Sequence, residues 1–167
     1  MVISKTLQNA INKQINAELY SSYLYLSMAA YFDSQNLSGF SNWIRRQSEE
    51  ETQHGMKFFD FLNQRGGRVI LDKIEKPKIE WGSSLNVFEE SYKHEIYVTK
   101  LINNLVDLAT KEKDNATLTV LHWFVDEQVE EEASALEIVE KLKMVEDSKH
   151  GLLMLDAQLA KRGQQKE

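Results

Sequence analysis

The chain has 167 residues, which is enough for one domain with a substantial core and leaves little room for a second fold. It carries 20 Lys and Arg against 26 Asp and Glu, a net charge of −6. This balance argues against nucleic acid as a partner, because binding it requires a basic face. The absence of cysteine excludes disulfides, thiolate metal sites and a cysteine nucleophile, so any metal must be held by oxygen and imidazole.

The hydropathy pattern predicts neither export nor a membrane partner. Residues 1–10 contain no apolar run of signal-peptide length, and no stretch approaches the roughly 20 apolar residues of a membrane span. We therefore expect a cytoplasmic protein in which residues 1–167 form a single domain.

Apolar residues recur about every 3.6 positions in five segments, a pattern that predicts an all-α protein. The first helix is predicted over about residues 4–33 and the second over 38–65, with Ser4 and Ser38 as N-caps and Gly66-Gly67 as the stop. The third and fourth are predicted over 84–112 and 115–145.

A short fifth helix is predicted over about residues 150–161. It carries Leu152, Leu155 and Leu159, apolar side chains that need a partner surface and that a lone bundle need not cover. We therefore expect a large homo-oligomer with a cavity.

The link between the second and third helices, residues 66–84, is long for a compact domain and contains Pro77. A four-helix bundle with one long crossover explains it, because the link then runs the length of the bundle and leaves helices two and three parallel. An extended link of this size spans roughly 60 Å, whereas a helix of about 28 residues is about 42 Å long. The link is long enough for this fold.

Each of the four long helices is predicted to place a carboxylate on its apolar face, at a similar distance from its start. These residues are Glu18, Glu51, Glu95 and Glu131. In a bundle they would meet at one level, where burying even one unpaired charge costs several kcal/mol. No Lys or Arg lies on these faces, whereas two divalent cations would balance four carboxylates.

His54 follows Glu51 by three residues on the same face and adds an imidazole ligand. That spacing alone is weak, because Asp147 and His150 share it at a predicted helix break. The four converging carboxylates carry the inference, and the sequence predicts a two-metal carboxylate site.

Several polar residues near these faces leave two interpretations open. Tyr25 lies seven residues after Glu18 and either reaches the site or packs in the core. Glu50, Glu127 and Glu130 lie beside the carboxylate faces and form either a solvated acidic surface or a third, weaker metal position or cation route. Other core polar residues are expected to satisfy one another, namely Gln47, Ser22 and Thr99. Other acidic side chains are assigned to solvent, namely Glu132, Glu137 and Glu140.

Four segments together resemble the non-haem ferritins of bacteria and archaea, and the similarity covers essentially the whole chain. They are NAELYSS at 16–22, EETQH at 50–54, YKHE at 92–95 and WFVDEQVEEE at 123–132. The resemblance implies a ferritin-like bundle that stores iron. It also implies assembly into a hollow cage of twenty-four subunits, in which Fe(II) is oxidised by dioxygen or peroxide at a dinuclear centre and deposited as ferric oxyhydroxide.

The resemblance also implies roles for individual residues. Glu18, Glu51 and His54 match the ligands of the first iron, with Glu51 bridging to the second. Glu95 and Glu131 match the ligands of the second iron. Gln128 lies beside that iron, and Tyr25 matches the tyrosine next to the centre, so Glu51 and Tyr25 are the expected catalytic residues. The third iron site is matched by Glu50, Glu127 and Glu130, which share Glu131.

Bacterioferritins are the related group to exclude, and they differ from this chain at two positions. The bacterioferritin pattern has a carboxylate-x-x-His pair on the fourth helix, where this chain has Gln128 and Glu131. It also has a haem-ligating Met at the position where this chain has Thr52. We therefore expect no haem. Gly55 lies mid-helix beside His54, where a better helix former would be expected. A glycine there lowers helix stability by about 1 kcal/mol relative to Ala.

Two other functions remain open at this point. The chain could be a di-metal oxidase or peroxidase acting on another substrate, although no pocket signature for an organic substrate is recognisable. It could also be a purely structural helical bundle. Aerobic Fe(II) discriminates between these interpretations, because a ferritin alone should yield a soluble yellow-brown product.

Overall fold

The computed structural model describes residues 2–145 and 147–164. Its helices are α1 (Lys5–Ser34), α2 (Ser38–Gln64), α3 (Ser84–Glu112), α4 (Asn115–Val145) and α5 (Lys149–Leu159). The predicted all-α bundle of four long helices with a short fifth is confirmed, and each boundary lies within about two residues of its prediction. None of the helices in the described ranges is sufficiently long and apolar to cross a membrane.

Serine caps begin three of the helices. The Ser4 hydroxyl accepts a hydrogen bond from the Leu7 amide at 3.1 Å, and Ser83 and Ser148 do the same for α3 and α5. The predicted cap at Ser38 is wrong, since Ser38 is already the first helical residue and Leu37 holds the cap position without a side-chain bond.

A residue from α5 replaces the missing cap of α2. The Phe40 amide, one of the unpaired donors at the start of α2, donates to the Asp156 carboxylate at 2.9 Å. A carboxylate at a helix N-terminus is also favoured by the helix dipole. The start of α2 is therefore satisfied by tertiary structure and not by its own sequence.

The crossover between α2 and α3 runs along α1 from one end of the bundle to the other. The Asn12 side chain bonds the backbone of Arg68 and Ile70, and the Ser27 hydroxyl bonds the Lys78 carbonyl at 2.6 Å further along. At the far end Trp81 packs edge-on against Tyr31. Because the link returns the chain to the end where α2 began, α2 and α3 run in the same direction, as predicted.

Two apolar clusters fill the bundle on either side of a polar layer. One contains Phe32, Phe40 and Phe88, whose ring centroids lie within 5.7 Å of one another. The other contains Phe58 and Phe124, which stack at 3.9 Å. The layer between the clusters is the level at which the carboxylates meet.

Helix α5 folds back on α2 instead of leaving its leucines for a partner. Leu155 and Leu159 are buried within the subunit, so the expectation that they require a second copy is wrong. The approach to α2 is close, since a Cβ added at Gly39 would lie 1.7 Å from the Asp156 carbonyl oxygen. The apolar side chains of α5 that face outward are Leu153 and Met154, at 60% and 63% exposure.

Candidate metal centre

The four predicted carboxylates lie together in the middle of the bundle, one from each long helix. Glu18, Glu51 and Glu95 are at most 2% exposed, and Glu131 is 7% exposed. Each occupies a turn of its helix where the apolar face would otherwise continue, which is why the helical period located them. Four acidic groups in a dry layer require compensation by protons or cations.

Their ligand atoms form two overlapping sets. Glu18, Glu51 and His54 each offer one atom, and these atoms all lie within 4.8 Å of one another. Glu51, Glu95 and Glu131 form a second set within the same distance. Glu51 belongs to both, so two cations held by these sets would share its carboxylate.

Among the residues that the structure describes, two buried polar atoms at the centre find no hydrogen-bond partner. They are Glu18 Oε2 and His54 Nδ1. His54 Nδ1 lies 3.6 Å from Glu51 Oε2, inside the first set. Buried polar atoms are normally paired, and an orphaned carboxylate oxygen beside an orphaned imidazole nitrogen fits a metal ion. The residues present therefore suit a cation that prefers oxygen and imidazole ligands.

Aromatic rings and a carboxylate hold the His54 ring in place. Trp123 and Phe124 of α4 contact it edge-on, with centroids at 5.6 and 5.8 Å. Its Nε2 faces Glu127 Oε2 at 3.8 Å, so the ring directs Nδ1 toward Glu51. At that distance the Glu127 carboxylate faces the ring without a direct hydrogen bond, and the two aromatic rings set the plane of the imidazole.

Three glutamine amides orient the carboxylates. Gln14 donates to Glu18 Oε1 at 2.8 Å from one helical turn away. Gln47 Nε2 donates to both Glu51 and Glu131, thereby linking α2 to α4. A third donor, Gln128 Nε2, lies 3.3 Å from Glu95 Oε2, which places it beside the second set.

Burial and mutual repulsion raise the pKa of all four carboxyls. Loss of solvation raises the pKa of Glu95 to about 7, although hydrogen bonds from Tyr25 and Gln128 act in the opposite direction. Burial and the Glu95 carboxylate raise the pKa of Glu131 to about 7. Burial followed by neighbouring carboxylates raises the pKa of Glu18 and Glu51 well above the usual 4.5. The metal-free centre therefore retains protons near neutral pH, and cation binding would displace them.

Tyr25 reaches the centre and also packs in the core. It is fully buried, and its hydroxyl donates to Glu95 Oε1. Burial, followed by the Glu95 charge, raises the pKa of Tyr25 well above 10. The phenol therefore stays protonated and acts as a donor to a carboxylate of the second set.

The candidate third position is only partly assembled. His54, Glu127 and Glu131 form a third set of ligand atoms within 4.8 Å. Glu50 lies outside these sets, but its charge contributes to raising the pKa of Glu131. Glu130 is exposed and belongs to none of the sets found among the described residues.

Two sequence assignments change in the structure. Glu132, assigned to solvent, is half-buried and accepts a hydrogen bond from Thr99. Gln47 was expected to pair with other neutral polar groups, yet it bonds two carboxylates of the centre. Its spacing of four residues before Glu51, repeated by Gln14 before Glu18, is the signal that could have identified both amides. Ser22, predicted in the core, is half-buried and hydrogen-bonds Ser48 and the exposed Thr52.

Comparison with known proteins identifies the family. The Ferritin family, described as a ferritin-like domain, matches residues 8–145. A bacterial non-heme ferritin of Bacteroides fragilis is 48% identical over 161 residues, covering 96% of this chain and all of that protein, and one of Staphylococcus epidermidis is 40% identical over the same length.

Solved structures give the same result. A novel open-pore ferritin from the archaeon Archaeoglobus fulgidus superimposes with a TM-score of 0.95 at 57% identity, covering 96% of this chain and 99% of the other. An engineered closed form of that ferritin superimposes with the same TM-score and identity, covering 96% and 98%. The chain therefore belongs to the ferritin family, and the resemblance to prokaryotic non-haem ferritins drawn from its motifs is confirmed.

Proposed function

We propose that this protein stores iron and that it oxidises Fe(II) to Fe(III) at a dinuclear ferroxidase centre. Membership of the ferritin family supports iron storage. The observation that carries the ferroxidase proposal is the pair of overlapping ligand sets that share the buried Glu51 carboxylate. Two cations joined by one carboxylate lie close enough to react with a single oxidant.

Iron is the substrate in this proposal, and the two ligand sets support a place for each of two ions. The first iron would be held by Glu18, Glu51 and His54, and the second by Glu51, Glu95 and Glu131. Carboxylate oxygens favour Fe(III) over Fe(II), which makes each ferrous ion easier to oxidise. Two ferrous ions release two electrons, which suffice to reduce dioxygen to peroxide or peroxide to water.

The protein's own residues manage charge and protons during this step. Glu95 and Glu131, with pKa values raised to about 7, give up protons when cations replace them. Tyr25 holds Glu95 through its hydroxyl, and Gln47 holds Glu51 and Glu131 through its amide. We therefore assign Glu51 and Tyr25 as the catalytic residues, with Gln128 beside the second iron.

A third iron and a multi-subunit shell complete the proposed function. Glu50, Glu127 and Glu130, together with Glu131, are proposed as a weaker third iron site. A cage of twenty-four subunits in the cytoplasm is proposed, with dioxygen or peroxide as oxidant and a ferric oxyhydroxide core. The relatives described as open-pore and closed forms support a shell, since both terms describe an assembled wall.

An aerobic Fe(II) titration followed by size-exclusion chromatography tests assembly and oxidation together. Ferric iron should elute with protein at a mass far above one subunit and give a soluble yellow-brown product. A matched Glu51→Gln variant should elute at the same mass with much slower oxidation. Iron that precipitates at the buffer rate would support a purely structural bundle, and turnover of an organic co-substrate without iron retention would support another di-metal oxidase.

A further inference from the structure

The turn that follows α5 places the positively charged side chain of Arg162 at the edge of the metal centre. Arg162 Nη2 lies 2.7 Å from Glu50 Oε2 and 3.0 Å from Gln47 Oε1. Its Nη1 donates to the Trp43 carbonyl at 3.0 Å, and the guanidinium lies 4.1 Å from the centroid of the Trp43 ring. The Arg162 side chain is 22% exposed and makes all of these contacts with α2.

The backbone of this turn is fixed to α2. The Asn42 side-chain amide lies 3.2 to 3.4 Å from the carbonyl oxygens of Leu159, Ala160 and Arg162. Gly163 then takes a positive φ of 77°, a conformation that side chains other than glycine's rarely adopt. Arg162 is therefore placed by several independent contacts.

The contact with Glu50 has a consequence for cation binding. Glu50 is one of the acidic residues proposed for the third iron, and its carboxylate already carries a partner of opposite charge. A guanidinium does not lose its proton at any pH at which proteins fold, so it remains a competitor. A metal ion that takes Glu50 Oε2 as its ligand must therefore compete with Arg162 for that oxygen.

The contact with Gln47 extends the influence of Arg162 to the two-cation sets. Because the Gln47 carbonyl oxygen accepts from Arg162, its amide nitrogen points at the centre. There it donates to Glu51 Oε1 at 3.2 Å and to Glu131. The opposite amide orientation would direct an oxygen at two carboxylates, so Arg162 is a positioning residue for Gln47.

We propose that Arg162 is the resident counter-ion of Glu50 and that a third cation that takes Glu50 as a ligand displaces the Arg162 side chain. Because Arg162 is one of the contacts that hold the C-terminal turn on α2, binding of that cation loosens the turn. The inference rests on the proposed function, because it concerns the third of the proposed iron positions.

Calorimetric titration of the metal-free assembled protein with Zn²⁺, which is not oxidised, tests the competition. Two tight ions per subunit are expected in every protein with an intact centre, followed by weaker binding. Arg162→Gln should strengthen that weaker step roughly tenfold, because it removes a competing charge-assisted bond. Lys161→Gln removes the same charge at the adjacent exposed position and should leave it unchanged. In the double variant Glu50→Gln/Arg162→Gln the gain should disappear.

Hydrogen exchange of wild-type protein supplies a second readout that needs no variant. Backbone amides of residues 160–164 should exchange faster when Zn²⁺ exceeds two per subunit. A merely structural role for Arg162 would leave both the weaker step and this exchange unaltered.

The outcomes separate the inference from the proposed function. Equal weak-step affinity in wild type and Arg162→Gln, absence of the weak step from both, or unchanged exchange at 160–164 would refute the inference while leaving the dinuclear centre intact. Loss of the two tight ions from wild type would instead refute the proposed function.

Discussion

Replacement of Glu51 by Gln should stabilise the metal-free protein while removing its fast iron oxidation. The change keeps the shape of a side chain that is 1% exposed and removes one of four buried carboxylates. The new amide oxygen can still accept from Gln47, and the new amide nitrogen takes the place of Glu51 Oε2, which lies 3.6 Å from the unpartnered His54 Nδ1. The substitution thus relieves repulsion and supplies a missing donor.

The magnitude follows from the cost of keeping Glu51 protonated. Burial and the charges of Glu95 and Glu131 raise the pKa of Glu51 well above 4.5, so the folded protein holds a proton that the unfolded chain would release. Each unit by which the pKa of a buried carboxyl exceeds its value in the unfolded chain costs about 1.4 kcal/mol at a pH above both values. A glutamine has no such cost, and we expect a gain of about 1 to 3 kcal/mol. For a chain of this size the melting temperature should rise by roughly 2 to 10 °C.

Thermal melts of metal-free protein at pH 5 and pH 8, together with initial Fe(II) oxidation rates, provide the assay. The gain should be small at pH 5 and large at pH 8, and the oxidation rate should fall at least about tenfold. Glu137→Gln serves as the control. Glu137 is exposed and forms an ion pair with Lys141, so this substitution should change stability by less than about 0.5 kcal/mol. A Glu51→Gln protein that melts lower than wild type, or gains equally at both pH values, would refute the reasoning.

Four further outcomes are expected. The metal-free wild type should lose stability between pH 5 and pH 8, because the carboxyls of Glu95 and Glu131 have pKa values of about 7 in the fold against a usual 4.5. The stability that comes from protonation of these carboxyls is complete below pH 4.5 and is lost as they ionise. Melting temperatures that rise with pH would contradict this. Gly55→Ala should stabilise by about 1 kcal/mol, since the added Cβ would meet Glu18 and Leu19 at 3.5 Å, an ordinary contact; a lower melting temperature would show that the site is tighter. Gly39→Ala should detach α5, because the new Cβ would collide with the Asp156 carbonyl, and hydrogen exchange in α5 should increase; protection equal to wild type would rule out the close approach. Protein expressed with ample haem should lack a Soret band, because Thr52 offers no soft axial ligand; stoichiometric Soret absorbance would overturn the non-haem assignment.

The carboxylate layer was predictable because its signal is local. The period of 3.6 places Glu18, Glu51, Glu95 and Glu131 on four buried faces, and helices of similar length bring them to one level. The crossover was predictable for a similar reason, since a link of that length fits few connections in a bundle. The interruption of apolar stripes at matched depths was sufficient to locate the site.

The contacts that were missed join residues far apart in sequence. Asp156 caps α2 across 116 positions, which makes the apparent cap at Ser38 misleading. Arg162 reaches Glu50 across 112 positions, and no periodicity connects a turn after α5 with the face of α2. Leu155 and Leu159 are apolar enough for an interface, but whether they face another copy or their own subunit depends on how closely α5 approaches Gly39.

The most direct test of the dinuclear centre is to soak crystals of the protein with Fe(II) without oxygen and record anomalous scattering at the iron edge. Two peaks are predicted on either side of the Glu51 carboxylate, one bounded by Glu18 and His54 and the other by Glu95 and Glu131. The same soak of Glu51→Gln should leave the pair incomplete. An absence of iron between these side chains in wild type, with peaks only on exposed acidic residues, would contradict the account.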